Sequence, residues 1–156
     1  MHSDKTAIKR NKQSTPLRKL LHADLIRGRV LDYGSGFGFD ANSICAEAYD
    51  PSHGPANFPE GQFDTILCTY VLNVLPDARA CGKVLKSINK LLKVKGLAFV
   101  TVRRDIQRAR LGFKGWQRPV YLRGEVSLWR TSGYEVYVIG KKRDGVKFHV
   151  FGNDRP

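Results

Sequence analysis

The chain has 156 residues, 42% of them hydrophobic, which suits one globular domain with a real core. Twenty-seven Lys and Arg against fourteen Asp and Glu leave a formal charge of +13, pointing to a polyanionic partner or a strongly solvated surface. No apolar run reaches the roughly 20 residues of a membrane span, and the polar, basic N-terminus lacks the apolar stretch of a secretory signal.

Residues 1–13 show no apolar periodicity and form a basic arm with Lys5, Lys9, Arg10 and Lys12; residues 14–156 form one domain. The arm has two readings, a solvated tail or a cover over a bound ligand. Thr15 and Pro16 open the first helix, Thr15 as N-cap and Pro16 at the first helical position. Leu17, Leu20, Leu21, Leu25 and Ile26 make its apolar face, and Gly28 ends it before a strand over 29–32.

Two apolar residues, Val30 and Leu31, lead into Asp32, and Gly34, Gly36 and Gly38 follow at alternate positions. In an α/β sheet such a turn lies where strands end and backbone N–H groups meet a ligand. The spacing differs from the dinucleotide pattern G-x-G-x-x-G. Asp32, two residues before the first glycine, suits an ammonium group better than a pyrophosphate. Asp50 ends the next apolar run 18 residues after Asp32, about where a ribose-binding carboxylate falls, roughly 20 residues on. Only 13 residues separate Asp50 from Asp64, and Pro51, Gly54, Pro55, Pro59 and Gly61 punctuate them. That stretch is too short and too broken for a helix, a third strand and a loop.

Residues 63–68 alternate into a buried strand, and 69–75 form a loop or short helix. The clearest helix spans 76–95, with Ala78, Cys81, Val84, Leu85, Ile88, Leu91 and Leu92 on one face. Lys83, Lys86, Lys90, Lys93 and Lys95 lie on the other side or at its end, as a solvated face. Gly96 turns the chain into a strand over 97–102. Residues 103–124 then carry Arg103, Arg104, Arg108, Arg110, Lys114, Arg118 and Arg123 among Phe113, Trp116 and Tyr121, with one acid, Asp105. Guanidinium groups beside rings suit phosphate contact and base stacking; the other reading is a basic insertion packed by its own aromatics. Residues 125–131 read as a last helix, and 134–139 with 146–151 as a closing hairpin around Arg143-Asp144-Gly145. Cys45, Cys68 and Cys81 lie in apolar runs and read as buried thiols of a reducing, cytoplasmic compartment. Neither they nor His2, His22, His53 and His149 have metal-ligand spacing, so no metal is expected.

The segment Asp32-Tyr33-Gly34-Ser35-Gly36-Phe37-Gly38, followed by Asp50, resembles the first motif of class I S-adenosylmethionine-dependent methyltransferases, D-x-G-x-G-x-G and an acid ending the second strand. Residues 62–68 resemble the family's fourth strand. Residues 91–100 resemble its "LLKPGG" turn into strand five, with Val94 and Leu97 in place of the proline and second glycine. Residues 6–10, 30–34 and 70–75 resemble a bacterial and phage group that includes methyltransferases associated with DNA phosphorothioation. The resemblance covers roughly residues 5–140. It implies an α/β, doubly wound, Rossmann-like and mostly parallel sheet of about six strands, with the third strand and its helix deleted and a C-terminal antiparallel hairpin.

The resemblance also implies S-adenosylmethionine as cofactor. Asp32, Gly34, Gly36 and Gly38 would lie at its methionine end and Asp50 at its ribose. The family's adenine contact, made after strand three, is unassigned, and Pro51 or Phe58 would offer an apolar wall. Thr69, Tyr70 and Asn73 fall on the substrate side; Tyr70 and Asp105 are the catalytic candidates. Asn73, Arg103, Arg104, Arg108, Arg110, Lys114 and Trp116 are candidates for substrate contact. There is no D/N-P-P-Y/F motif for exocyclic amines, and Cys68 does not follow a proline as a pyrimidine nucleophile would. Three functions follow: methylation of a nucleic acid (foremost), methylation of a small molecule or protein, and a non-catalytic nucleic-acid-binding accessory module.

Overall fold

A computed structural model describes residues 7–112 and 115–152. Six strands form the central sheet in the order β2-β1-β3-β4-β9-β8. They are β1 (Val30–Tyr33), β2 (Glu47–Tyr49), β3 (Phe63–Thr69), β4 (Leu92–Arg103), β8 (Val126–Arg130) and β9 (Tyr134–Gly140). The first four run parallel, while β9 is antiparallel to both β4 and β8. The sheet is thus mostly parallel, and the C-terminal antiparallel hairpin is the β8–β9 pair. No strand lies between β2 and β3, because the proline- and glycine-broken stretch 51–62 runs as turns and coil.

Side chains alternate along each strand, so the sheet feeds two cores. On one face Ile66, Cys68, Ala98 and Val100 pack with Cys81, Leu85, Ile88 and Leu91 of α3 (Ala78–Leu91). On the other, Leu67, Phe99 and Val136 pack with Leu17 and Leu20 of α1 (Thr15–His22). Asp77 caps α3 by accepting from the Ala80 N–H at 2.8 Å. A five-residue helix, α2 (Phe39–Ser43), follows the glycine turn.

Several local expectations change. Ser14, not Thr15, is the N-cap of α1, its hydroxyl accepting from Leu17 N. That helix ends at His22, because Asp24 turns the chain at φ 55° before Gly28 is reached. Cys68 and Cys81 are buried, but Cys45 is exposed in a left-handed turn, φ 53°, between α2 and β2. The expected helix over 125–131 is strand β8. Thr131 Oγ1 accepts from the N–H groups of Gly133 and Tyr134, and this tight turn folds β8 back on β9, overriding local preference. Residues 149–151 do not pair with β9; as β10 (His149–Phe151) they pair with β7 (Tyr121–Arg123). The basic stretch after β4 is a packed structure, with a ribbon of β5 (Arg110–Gly112) and β6 (Gly115–Gln117). Ile106, Val120 and Leu122 from that stretch are buried.

Candidate functional site

The carboxyl ends of β1, β2, β3 and β4 surround one cleft of about 620 Å³. Asp32 closes its floor at the end of β1, only 5% exposed. Burial pushes its carboxyl up to about 7, helped by the nearby charges of Asp40 and Asp50 and opposed by Arg10. A buried acid with two acidic neighbours is unfavourable by itself and favours an incoming cation.

The glycine turn crosses above it. The N–H groups of Gly34 and Ser35 donate to the Tyr49 carbonyl at 2.7 and 3.1 Å, which ties β1 to β2. Gly34, Gly36 and Gly38 all sit at positive φ, 80°, 57° and 82°. A Cβ on Gly34 would overlap the Val71 side chain, whereas one on Gly36 would meet only Ala7 Cβ at 3.5 Å and so project towards the arm and the cleft. Asp50 holds this arrangement from the other side. Its Oδ2 accepts from Gly36 N at 2.7 Å, and its Oδ1 accepts from Ser52 N and His53 N at 2.8 and 3.0 Å. Pro51 lines the cleft. Phe58 instead backs Tyr49, ring to ring at 5.5 Å.

Sequence reasoning missed Phe37, Tyr49 and His53, which all line the cleft. Phe37 meets the His53 ring edge-on at 5.0 Å. Their one sequence signal is position, flanking the second glycine and the second acid. Of the arm, Ala7, Ile8 and Arg10 form part of the cleft wall. Lys5 and Thr6 lie outside the described residues.

At the opposite end stand Thr69, Tyr70, Arg103, Asp105, Gln117 and Tyr134. Tyr70 is held at φ 61° with its N–H donating to the Thr101 carbonyl at 2.9 Å, a strained backbone of the kind that gathers at working sites. Burial raises its phenol, so it stays a hydrogen-bond donor through the neutral range. Asp105 is gripped by both ends of the Arg103 guanidinium, which holds its carboxyl below the usual range. A carboxylate so held is a weak proton acceptor and serves better to orient Arg103.

Two substrate candidates prove structural. Asn73 is wholly buried; its Nδ2 donates to the Arg118 carbonyl at 2.9 Å and its Oδ1 accepts from Arg103 N at 2.7 Å. The Arg104 guanidinium is buried against Glu135 at 2.6 Å, donates to the Val120 carbonyl and the Tyr137 hydroxyl, and stacks 4.4 Å above Tyr121. Arg108 and Arg110 are exposed and Trp116 is half-buried on β6, and none of the three lines the cleft. Lys114 lies outside the described residues.

The residues present fit S-adenosylmethionine. Asp32 supplies an anion for the ammonium group, Asp50 a rigid acceptor for hydroxyls, and Gly36 a cradle that a Cβ would fill. Ser35 adds a buried hydroxyl that has no partner. Gly36→Val should therefore abolish cofactor binding measured by calorimetry. Its left-handed backbone would cost about 1–2 kcal/mol of stability without unfolding the domain. Undiminished affinity would remove the turn from the site.

A family model described as a methyltransferase domain matches residues 7–143. No curated protein sequence matches. Among solved structures, the chain is similar to Burkholderia thailandensis 1,6-didemethyltoxoflavin-N1-methyltransferase with bound 1,6-didemethyltoxoflavin and S-adenosylhomocysteine. Identity is 20% and the TM-score 0.60, over 83% of this chain and 78% of that one. The DhpI complex with S-adenosylhomocysteine aligns at 15% identity and a TM-score of 0.52, over 82% and 84%. A TehB-like S-adenosylmethionine-dependent methyltransferase of Corynebacterium glutamicum aligns at 17% and 0.50, over 81% and 87%. These likenesses speak to the fold, and the family match to the chemistry: the chain belongs to the methyltransferase domain family.

Proposed function

We propose that the methyl acceptor is a nucleic acid. The observation that carries this reading is the basic stretch that follows the cleft residues Arg103 and Asp105, where Arg108 and Arg110 are exposed and no carboxylate forms an ion pair with either among the described residues. Exposed guanidinium groups outside any ion pair attract phosphate. The resemblance to the phosphorothioation-associated group points the same way, as does the +13 charge. No helix among the described residues is long and apolar enough to cross a membrane, and three free thiols fit a reducing compartment such as the cytoplasm.

In this reading S-adenosylmethionine supplies an electrophilic methyl carbon, and the chain supplies position. Asp32 orients the ammonium end and Asp50 the ribose. Phe37, Tyr49 and His53 provide the ring surface that a strand-three loop would have given. The Tyr70 phenol donates a hydrogen bond at the acceptor end, and Arg103, fixed by Asp105, presents a cation there. Ala7, Ile8 and Arg10 exclude water. Holding reactants in line accounts for much of such a rate enhancement, and an acceptor that is already nucleophilic needs no strong base.

A second reading, a small-molecule acceptor, is favoured by Gln117 and Tyr134, which line the cleft with polar groups. Labelled-methyl transfer to DNA, RNA, protein and small-molecule extracts separates the two. Filter binding adds a second measurement. Arg108→Ala with Arg110→Ala should flatten the salt dependence of nucleic-acid binding by about one unit of slope for each lost phosphate contact. A wild-type protein that binds neither DNA nor RNA at low salt, and methylates neither, would leave the small-molecule reading standing.

A further inference from the structure

The outward face of α3 carries a feature that the cleft does not explain. Arg79, Lys83, Lys86 and Lys90 recur at i, i+4, i+7 and i+11, and all four are exposed. At 100° per residue they fall in one narrow stripe, diametrically opposite the Cys81, Leu85 and Ile88 seam that packs on the sheet. The stripe runs about 16 Å along the helix axis, at 1.5 Å per residue.

No ion pair neutralises it among the described residues. The helix contains no acidic residue, and Asp77 at its start is spent as the N-cap. None of the four cations forms an ion pair among the described residues, although Lys93, just beyond the helix, does pair with Asp64 at 2.9 Å. Like charges at i, i+4 weaken a helix by about 0.2–0.5 kcal/mol per pair. A solvated helix would more economically mix signs, so the uniform stripe implies an anionic partner that offsets the repulsion.

We infer that this face of α3 docks the phosphate backbone of a double-stranded nucleic acid, at a surface separate from the cleft. The exposed side of the helix offers Arg, Lys, Ser and Gly and no aromatic ring, so it has nothing on which unstacked bases could lie. Four point cations in a row match a regular line of phosphates and read no sequence. The surface also has a direction. Val84 of the same helix lines the cleft, and Arg79 lies in the first turn, next to the segment that leaves β3 at the cleft. A duplex held along the stripe would therefore lie beside the reaction site without entering it. The inference extends the nucleic-acid reading but does not need the duplex itself to be methylated.

The test uses the full chain and a fluorescently labelled DNA duplex, with anisotropy read across a salt series. Lys83→Gln, Lys86→Gln and Lys90→Gln together should weaken binding at low salt by roughly 10-fold or more and reduce the log–log salt slope by about 2–3 units. A control with the same charge loss scattered elsewhere (Arg18→Gln, Lys95→Gln and Arg143→Gln) should retain most of both. Equal losses in the two variants would show general charge rather than a docking face and overturn the inference, as would no binding by wild type. Stripe-dependent binding to phosphatidylserine vesicles, with none to the duplex, would overturn it in favour of a membrane surface. S-adenosylhomocysteine affinity, measured in parallel, should be unchanged in the stripe variant. If the stripe binds duplex but neither DNA nor RNA is methylated, the inference stands and the acceptor assignment fails. If nucleic acid is methylated and the stripe variant binds and turns over normally, the inference alone fails.

Discussion

Asp32→Asn should make the protein more stable at pH 8 and nearly unable to bind its cofactor. The carboxyl is buried and its folded value lies near 7, well above that of an exposed aspartate. An acid raised on folding favours the folded state while protonated. Its contribution is fully present below about pH 4 and is lost as pH rises through about 7. Asparagine fills the same volume without ionising, so the loss disappears, and Tm at pH 8 should rise by roughly 5–10 °C. Cofactor affinity should move the other way. Losing a charge-assisted pair to the ammonium group should weaken it by roughly 10- to 150-fold.

The wild-type affinity should also fall as pH drops below about 7, by at most about tenfold per unit, because binding must then release a proton. That slope should be absent in the variant. Calorimetry between pH 5.5 and 8.5, with thermal melts alongside, gives all three readouts. A variant that binds normally, or a wild-type affinity flat with pH, would exclude Asp32 as the ammonium partner.

Arg104→Ala should have the largest effect on stability and leave nucleic-acid binding alone. With side chains 4% and 6% exposed, Arg104 and Glu135 form a buried pair, and the guanidinium also bridges β4 to Val120 and Tyr137. Removing Arg104 leaves the buried Glu135 with only the longer contact to the exposed Arg130 guanidinium at 3.9 Å, at a cost of up to about 3–5 kcal/mol. A fall in Tm of roughly 10 °C or more is expected for a domain of this size. Glu135→Gln in the Arg104→Ala background should recover part of it, since no stranded carboxylate remains. A variant with unchanged Tm but weaker nucleic-acid binding would instead restore Arg104 to the substrate surface.

These two residues mark how far the sequence was legible. The position of Asp32 in a strand at the floor of the cleft was legible because its setting is local, an apolar strand before it and a glycine turn after it. The same holds for α3, whose apolar seam repeats with helical period, and for the missing third strand, which the prolines and glycines after Asp50 announce. Arg104 could not be assigned, because the partner that buries it lies 31 residues further along, on β9. Asn73 was misread for the same reason, its amide being consumed by backbone groups of Arg103 and Arg118. Strand β8 looked helical until β9 supplied the ladder that decides it. Phe37, Tyr49 and His53 meet only when the glycine turn and the loop after β2 close on each other, a distance that no local pattern encodes.

Dropping the third strand has one more consequence. It leaves β2 as the border of the sheet, with a row of backbone amides and carbonyls available to any extended chain that passes. Such borders invite intermolecular pairing. Here the border is only three residues long, and Glu47 at its start is clasped by the Arg29 guanidinium at 2.6 and 2.8 Å. The chain beyond it meets Pro51, Pro55 and Pro59, none of which has an N–H to donate. The strand that this shortening exposes is brief, opens on a charged residue and is soon interrupted, and each of these works against its use as a template.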